Sequence, residues 1–182
     1  YPGGPQIERL AKSGDPYAYQ LPLPLKGRAG CDFSFSGLKT AVADLIRKEN
    51  LDMTHQKTQA NLAASFQEII GRVLQDRFKN ALSMAQQEQP SLNTVVVSGG
   101  VAANRFLFAS MERCVHSFNC TLAAPPPELC TDNGIMVAFA GLERYRVGAF
   151  SSLRFNPRAR WPLAEVTLKE RQKGKGSDEQ GV

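Results

Sequence analysis

Residues 97–104 read VSGGVAAN, the pattern in this sequence best suited to binding a nucleotide. Gly99 and Gly100 follow a β-branched run, and paired glycines at the carboxyl end of a strand allow a sharp turn that a ligand can approach closely. A helix after such a turn offers N–H groups and a positive dipole end to a phosphate. Asn104, one turn into that helix, can hydrogen-bond a ribose or a base edge. The pattern is neither GxGxxG nor a Walker A loop, so packing of helix on strand explains the glycines equally well.

Asp132 lies in the second candidate segment, residues 130–134, which reads CTDNG and precedes an apolar stretch. An aspartate just before a helix most often caps it, because its carboxylate accepts hydrogen bonds from the first N–H groups. The alternative is a metal ligand. One carboxylate is not a metal site, and the two histidines, His55 and His116, are remote in sequence. The pattern alone therefore favours capping.

The first eight residues, YPGGPQIE, form a third candidate. Gly3 and Gly4 predict a tight turn that a ligand can approach, and Glu8 can accept hydrogen bonds from sugar hydroxyls. The plainer interpretation is a turn that leads into a helix, whose first turns favour glutamate.

Residues 34–40, SFSGLKT, lie shortly after Lys26 and Arg28. Cations interleaved with aromatic residues can bind an RNA backbone, although a solvated strand edge is the more usual explanation.

No hydrolytic triad can be assembled from the sequence. The four cysteines contain no CxxC pair, and we expect reduced, mostly buried thiols.

Alternating helical and strand patterns must position these residues. Residues 57–87 carry an apolar stripe at helical spacing, and the opposite face is polar, with Gln, Asp, Arg and Lys. They predict one long helix, or two if Gly71 divides it. After residue 90 the patterns follow in the order strand, glycine turn, helix, strand, loop and helix. This order predicts an α/β sheet with crossover connections, in which 92–97 is a buried strand. The other predicted elements are helices at 7–12, 37–48, 101–118 and 135–145, an extended connection at 17–30, and strands at 32–36 and 120–124.

The composition is that of an ordinary globular protein. The 182 residues are 42% hydrophobic and 21% charged, and 22 Lys and Arg against 17 Asp and Glu give a net charge of +5, which permits a polyanionic partner. No apolar run is long enough for a transmembrane helix. Because the sequence opens on Tyr1 without a leader pattern, we expect it to begin within a fold.

Four segments occur in an order that identifies a family resemblance: 1–8, 33–41, 97–104 and 125–134. The chain resembles the carboxyl-terminal part of the TsaD/Kae/Qri family, from Tyr1 to about Arg146. Its ending near 158–163 resembles the bacterial branch, with a mitochondrial homologue as the alternative.

The resemblance implies an α/β fold, the carboxyl-terminal part of an actin/Hsp70-like ATPase (ASKHA) architecture with a helical insertion. The TsaD-like portion would span 1–167, with a mostly helical part at 1–90 and an α/β nucleotide-binding part at 91–150. Residues 168–182, which offer almost nothing apolar to bury, are expected to be a disordered basic tail.

The activity that the resemblance implies is transfer of threonylcarbamoyl from threonylcarbamoyl-AMP to N6 of adenosine 37, in tRNAs reading codons that begin with A. Such enzymes work with accessory proteins of the TsaB and TsaE type, in the cytoplasm or in mitochondria, and not in a membrane. They carry a divalent metal ion, Fe2+ or Zn2+.

Matching to the family assigns roles residue by residue. Gly4, Glu8 and Asn104 would bind the adenylate, and Gly99 and Gly100 would line its pocket. Asp132 would be a metal ligand, which reverses the capping interpretation. No catalytic nucleophile is assigned.

The sequence departs from the family because it contains no HxxxH pair of metal-binding histidines. We therefore expect a truncated chain that binds metal weakly and is inactive alone. The alternatives are a metalloprotease, although no HExxH is present, and a non-catalytic interaction module.

Overall fold

The computed structural model describes residues 3–150, 152, 154, 156–160 and 162. The predicted tail at 168–182 lies outside the described residues. The chain divides into two compact units, Tyr1–Val137 and Ala138–Val182. In chain order the described elements are α1 (Gly3–Ala11), α2 (Ser36–Lys48), α3 (Gln56–Glu88), β1 (Thr94–Val96), α4 (Gly100–Ala103), α5 (Arg105–His116), β2 (Thr121–Ala123), a 3-10 turn (Pro127–Leu129) and α6 (Gly134–Arg146).

The 33-residue helix α3 is the centre of the first unit and follows the predicted apolar stripe. Gly71 does not divide it. A Cβ at Gly71 would lie 3.2 Å from Ser110 Oγ on α5, so the missing side chain lets α5 approach α3 closely. Gln75 Nε2 donates to Ser110 Oγ at 2.8 Å beside this contact.

The largest core lies between α3, α5 and β2. Burying a leucine or methionine side chain contributes about 1.5–3 kcal/mol, so this cluster accounts for much of the unit's stability. Its buried members are Leu74, Leu82, Leu107, Met111, Val115, Cys120 and Leu122.

The sheet has two parallel strands, and Thr94 pairs with Thr121 at its start. The crossover between the strands runs through α4 and α5, as the sequence predicts. The prediction of a buried strand at 92–97 is wrong in part. Val95 packs on the core, but the side chain of Val96 is 71% exposed.

Two further predictions of elements are wrong. Residues 32–36 form no strand, and Phe33 and Phe35 stack on each other with ring centroids 5.9 Å apart. The predicted helix at 101–118 is broken at Asn104, whose backbone is extended (φ −75°, ψ 115°).

The turn after α1 is fixed directly on α3. A Cβ at Gly14 would lie only 2.0 Å from the carbonyl oxygen of Ala60, so any other residue would clash with the α3 backbone. Asn61 Oδ1 accepts a hydrogen bond from the N–H of Asp15 at 3.0 Å. Ser65 Oγ accepts another from the N–H of Tyr19 at 3.1 Å.

Arg77 of α3 fixes the connection at 25–30. This side chain is 1% exposed, although the sequence places it among the polar residues opposite the apolar stripe. Its guanidinium pairs with the carboxylate of Asp76 and donates to the carbonyl oxygens of Leu25 (2.9 Å), Arg28 (3.1 Å) and Gly30 (3.0 Å).

Helix α6 is apolar along its first nine residues, yet none of its residues is buried. Val137 is 67% exposed and Phe139 is 61% exposed. None of the described helices has the length and apolar character needed to span a membrane.

Candidate functional site

Glu8 and Asn104, two residues singled out from the sequence, meet at the amino terminus of α5. Glu8 Oε1 accepts a hydrogen bond of 3.0 Å from the backbone N–H of Arg105, a residue 97 positions away in the chain. Asn104 Oδ1 accepts one of 2.9 Å from the N–H of Leu107. Negative charge and side-chain oxygens favour this position because the first N–H groups of a helix have no partner within it. The fold therefore brings α1 and α5 together at one site.

Asn104 is the N-cap of α5 rather than a residue one turn into a helix. Its Nδ2 donates to Gln67 Oε1 at 3.0 Å, and Gln67 is only 8% exposed. Both ends of the Asn104 amide therefore have partners, and these fix the orientation of the side chain. The position of the Asn104 side chain in the candidate site is therefore already fixed in this structure.

The glycine turn leaves open space beside the backbone. Gly99 has φ 81° and ψ −177°, a conformation available essentially only to glycine. Apart from the adjoining residues of the chain, no atom of the described residues lies within 4 Å of a Cβ built at Gly99 or at Gly100. A ligand can therefore approach the backbone here, as the sequence predicts.

The prediction of free N–H groups in the helix after the turn needs correction. The helix is two helices, and in α5 the N–H groups of Arg105, Leu107 and Phe108 all donate to oxygens of Glu8 or Asn104. What faces a ligand at Asn104 is therefore a side chain already engaged in hydrogen bonds. The open backbone lies one turn earlier, at Gly99 and Gly100.

Gly3 and Gly4 form the first turn of α1, so the prediction of a tight turn there is wrong. Both are exposed, and beyond their chain neighbours the described part of the chain places nothing within 4 Å of a Cβ built at either position. Glu8 follows in the next turn of the same helix. Gly4 therefore remains accessible to a ligand as part of a helix end.

Asp132 is exposed, and it does not cap α6. The cap is its neighbour Asn133, whose Oδ1 accepts a hydrogen bond of 3.1 Å from the N–H of Met136. The loop is anchored by the buried Cys130, whose thiol donates to the carbonyl oxygen of Pro125 at 3.4 Å. The carboxylate of Asp132 is thus left available for another role.

The described part of the chain contains no group of three or more His, Cys, Asp or Glu side chains that could hold a metal ion. Asp132 alone supplies one carboxylate, which does not amount to a divalent-metal site. The residues at hand therefore do not fit a metal ion without further ligands. The metal role of Asp132 stays a prediction.

The cysteines are free thiols, and three of them are buried, as expected from the sequence. Burial raises the pKa of Cys114, whose thiol donates to the carbonyl oxygen of Gln75. A thiol with a raised pKa is a poor nucleophile at neutral pH because little thiolate is present.

Comparison with known proteins decides the family. The sequence model of TsaD, described as tRNA N6-adenosine threonylcarbamoyltransferase, matches residues 1–139. The chain belongs to the TsaD family. The match covers every residue assigned above to the adenylate and to the metal.

Three curated relatives, each named tRNA N6-adenosine threonylcarbamoyltransferase, agree with this assignment. The Anaplasma marginale protein is 51% identical over 164 residues, 90% of this chain and 47% of its own length. The Ehrlichia canis protein is 47% identical over 166 residues (91% and 47%). The Granulibacter bethesdensis protein is 48% identical over 163 residues (90% and 44%). The chain therefore spans about half the length of the curated relatives it matches.

Gln67 is the residue of the candidate site that sequence reasoning missed. It lies on the buried face of α3, four residues from Ala63 and from Gly71. An uncharged amide among apolar residues at helical spacing was the available signal, because a buried polar side chain requires a hydrogen-bonding partner. Asn104 is that partner.

Proposed function

We propose that this TsaD-family chain contributes to transfer of threonylcarbamoyl from threonylcarbamoyl-AMP to N6 of adenosine 37 in tRNA, in tRNAs that read codons beginning with A. The proposal rests on the family match over 1–139, which includes the open glycine turn and the contact between Glu8 and the start of α5. The two-stranded parallel sheet with helices is compatible with the actin-like ATPase architecture that we propose for the whole protein.

Each residue of the site has a proposed role. The backbone at Gly99 and Gly100 lies against the adenylate, the amide of Asn104 hydrogen-bonds it, and Gly4 and Glu8 border it from α1. Orienting the adenylate in this way favours attack by the amine of the adenosine, since positioning lowers the entropic part of the barrier. AMP is then the leaving group, and no covalent intermediate on the protein is needed.

Asp132 is proposed as one ligand of a divalent ion, Fe2+ or Zn2+. Because the described residues contain no group of three or more His, Cys, Asp or Glu side chains that could hold the ion, no step of the transfer is derived through it. Accessory proteins of the TsaB and TsaE type and a cytoplasmic or mitochondrial location complete the proposal.

A chimera tests the transfer activity. The 164 aligned residues of the Anaplasma marginale relative are replaced by those of this chain, and the purified chimera is given threonylcarbamoyl-AMP and unmodified tRNA. Mass spectrometry of the tRNA nucleosides is expected to detect N6-threonylcarbamoyladenosine. If the chimera folds, binds the adenylate and yet leaves the tRNA unmodified, the proposed function is wrong.

Asn104→Ser in the chimera separates ligand binding from folding. Serine keeps an oxygen that can cap α5 but removes the amide, so the helix should persist while adenylate affinity falls at least about tenfold, as expected for a lost polar contact. Asn93→Ser is the matched control, because Asn93 is exposed and its side-chain oxygen accepts a hydrogen bond from the hydroxyl of its neighbour Thr94. Equal adenylate affinity of both variants, measured by calorimetry, would contradict the role of Asn104.

Asp132→Asn in the same chimera tests the metal role. Removal of the carboxylate is expected to lower bound iron or zinc, measured by plasma mass spectrometry, with the circular dichroism spectrum unchanged. Glu128→Gln is the control, since Glu128 is an exposed carboxylate of the same loop. An unchanged metal content in the Asp132 variant would remove it from the ligand set.

A further inference from the structure

The connection before α2 is held by the side chains of Arg77 and Asn80 of α3. The carbonyl oxygens of Arg28 and Gly30 each accept hydrogen bonds from Asn80 Nδ2, at 3.0 and 2.9 Å, in addition to those from the buried guanidinium of Arg77. Leu25 has φ 58°, in the left-handed region, and its carbonyl also accepts from Arg77. A loop fixed in this way loses little conformational entropy when it binds a partner.

Two cations lie on the solvent side of this fixed loop. Lys26 and Arg28 are exposed, although the backbone carbonyl of Arg28 is bonded to α3. Within the described residues neither side chain forms an ion pair. Their charge is therefore available to an anionic partner.

Two aromatic rings follow within seven residues. Phe33 and Phe35 are 48% and 37% exposed, and their rings are stacked with an interplanar angle of 15°. The N–H of Lys39 donates to the carbonyl of Phe35 at 3.3 Å, which places a third exposed cation one helical turn from the rings. Exposed apolar rings and exposed cations within one segment of the chain favour a partner that offers both flat π faces and negative charge.

The charge of the surrounding segment agrees. Residues 26–48 contain five basic and two acidic residues, a net charge of +3 within a chain of net charge +5. One of the two acidic residues, Asp44, is paired with Arg47 at 2.7 Å. The segment thus carries more than half of the excess positive charge.

We propose that the surface formed by Lys26, Arg28, Phe33, Phe35 and Lys39 binds an unpaired stretch of RNA. Bases stack on aromatic side chains only where they are not stacked in a duplex, and phosphates bind the neighbouring cations. An acidic peptide would use the cations but not the stacked rings. The inference rests on the proposed function in one respect, namely that tRNA is the RNA presented to this surface.

Fluorescence anisotropy of the 182-residue chain with a labelled 12-nucleotide oligouridylate tests the proposal. Phe33→Ala/Phe35→Ala is expected to weaken binding about tenfold or more at constant salt, since each stacked base contributes this much. Lys26→Ala/Arg28→Ala is expected to weaken binding and to lower the slope of log affinity against log salt by about 1.4, because two phosphate contacts are lost.

The matched control is Lys57→Ala/Arg113→Ala, which removes the same charge from exposed positions on α3 and α5. It is expected to change the affinity less than about threefold, an effect of overall charge alone. If this control weakens binding as much as the Lys26/Arg28 variant, or if the phenylalanine variant binds normally, the proposal is overturned. Competition by polyglutamate or by an RNA duplex as strong as that by oligouridylate would also overturn it.

The experiment is independent of the transfer reaction, because it contains no threonylcarbamoyl-AMP. If the chain binds oligouridylate through this surface but the chimera is inactive, the proposed function is wrong and the proposed RNA-binding surface is supported. If the chimera is active but the chain binds oligouridylate equally well with and without the two rings, only the proposed RNA-binding surface is wrong.

Discussion

Helices α3 and α6 are both rich in apolar residues, but α3 buries twelve residues and α6 buries none. The buried residues of α3 belong to three clusters, which pack against α1, against α5 with β2, and against Leu38 of α2. In α6 the first nine residues are apolar on all sides, a composition typical of a helix that is surrounded by protein. The comparison teaches that apolar content alone does not place a helix in a core. The elements that pack on several sides of α3 in the same unit account for its burial.

The largest expected difference between the two helices concerns their arginines. Arg77→Met in α3 is expected to lower the free energy of unfolding by about 3–5 kcal/mol, because it leaves Asp76 and the carbonyls of the 25–30 connection without their buried cation. Arg146→Met in α6 removes an exposed pair with Glu143 and is expected to cost no more than about 1 kcal/mol. Urea denaturation measures both. Similar values for the two variants would contradict the comparison.

Leucines give the second test. Leu82 of α3 is 4% exposed and Leu142 of α6 is 45% exposed. Leu82→Ala is expected to cost about 2–4 kcal/mol, from lost burial and the cavity that remains, whereas Leu142→Ala should change stability by about 0.5 kcal/mol at most. Thermal unfolding followed by circular dichroism checks the pair, and a large loss for Leu142→Ala would show that α6 is packed in solution.

The third test concerns the side chain that joins α3 to α5. Asn104→Ala removes the cap of α5 and the bond to Gln67, and is expected to cost about 1–2 kcal/mol. The matching variant on α6 is Asn133→Ala. It should lower the free energy of unfolding by less, because this cap stabilises a helix with no buried residue. If Asn133→Ala proves the more costly of the two by chemical denaturation, α6 contributes more to the fold than its exposure indicates.

The smallest effect is a pH dependence at Cys114, a residue of α5 beside α3. Because burial raises the pKa of this thiol in the folded chain, the folded state keeps its proton where the unfolded chain loses it. The stabilisation is therefore fully present below the unfolded value of about 8.5 and is lost as the pH rises toward the folded pKa, by no more than about 1.4 kcal/mol per pH unit. Thermal unfolding of the chain and of Cys114→Ala between pH 7 and 10 measures the difference. Identical pH profiles would contradict the raised pKa.

Periodicity predicted the elements that carry the fold. The stripe at 57–87 predicts α3 (Gln56–Glu88) to within one residue at each end, and the glycine turn predicts a crossover between parallel strands. The alternation at 32–36 failed because a strand needs a partner to complete its hydrogen bonds. Here the aromatic residues stack on each other instead.

The candidate site was predictable in part. Glu8 and Asn104 were singled out from the sequence, and the structure shows that they meet at α5. The break at Asn104 and the bond to Gln67 were not predictable, because they depend on how α3 and α5 pack. Arg77 was assigned to a polar face for the same reason, since its partners come from a connection about 50 residues earlier.

The absence of a side chain at Gly14 has a consequence for the distance between Glu8 and α5. The turn at Gly14 packs against the carbonyl of Ala60 and is hydrogen-bonded to Asn61. A shift of α1 along its axis by about 1.5 Å, the rise of one residue, would therefore bring this turn into steric conflict with α3. The position of Glu8 relative to the amino terminus of α5 is consequently fixed. A glycine remote from the glycine turn thereby helps to hold Glu8 at the amino terminus of α5.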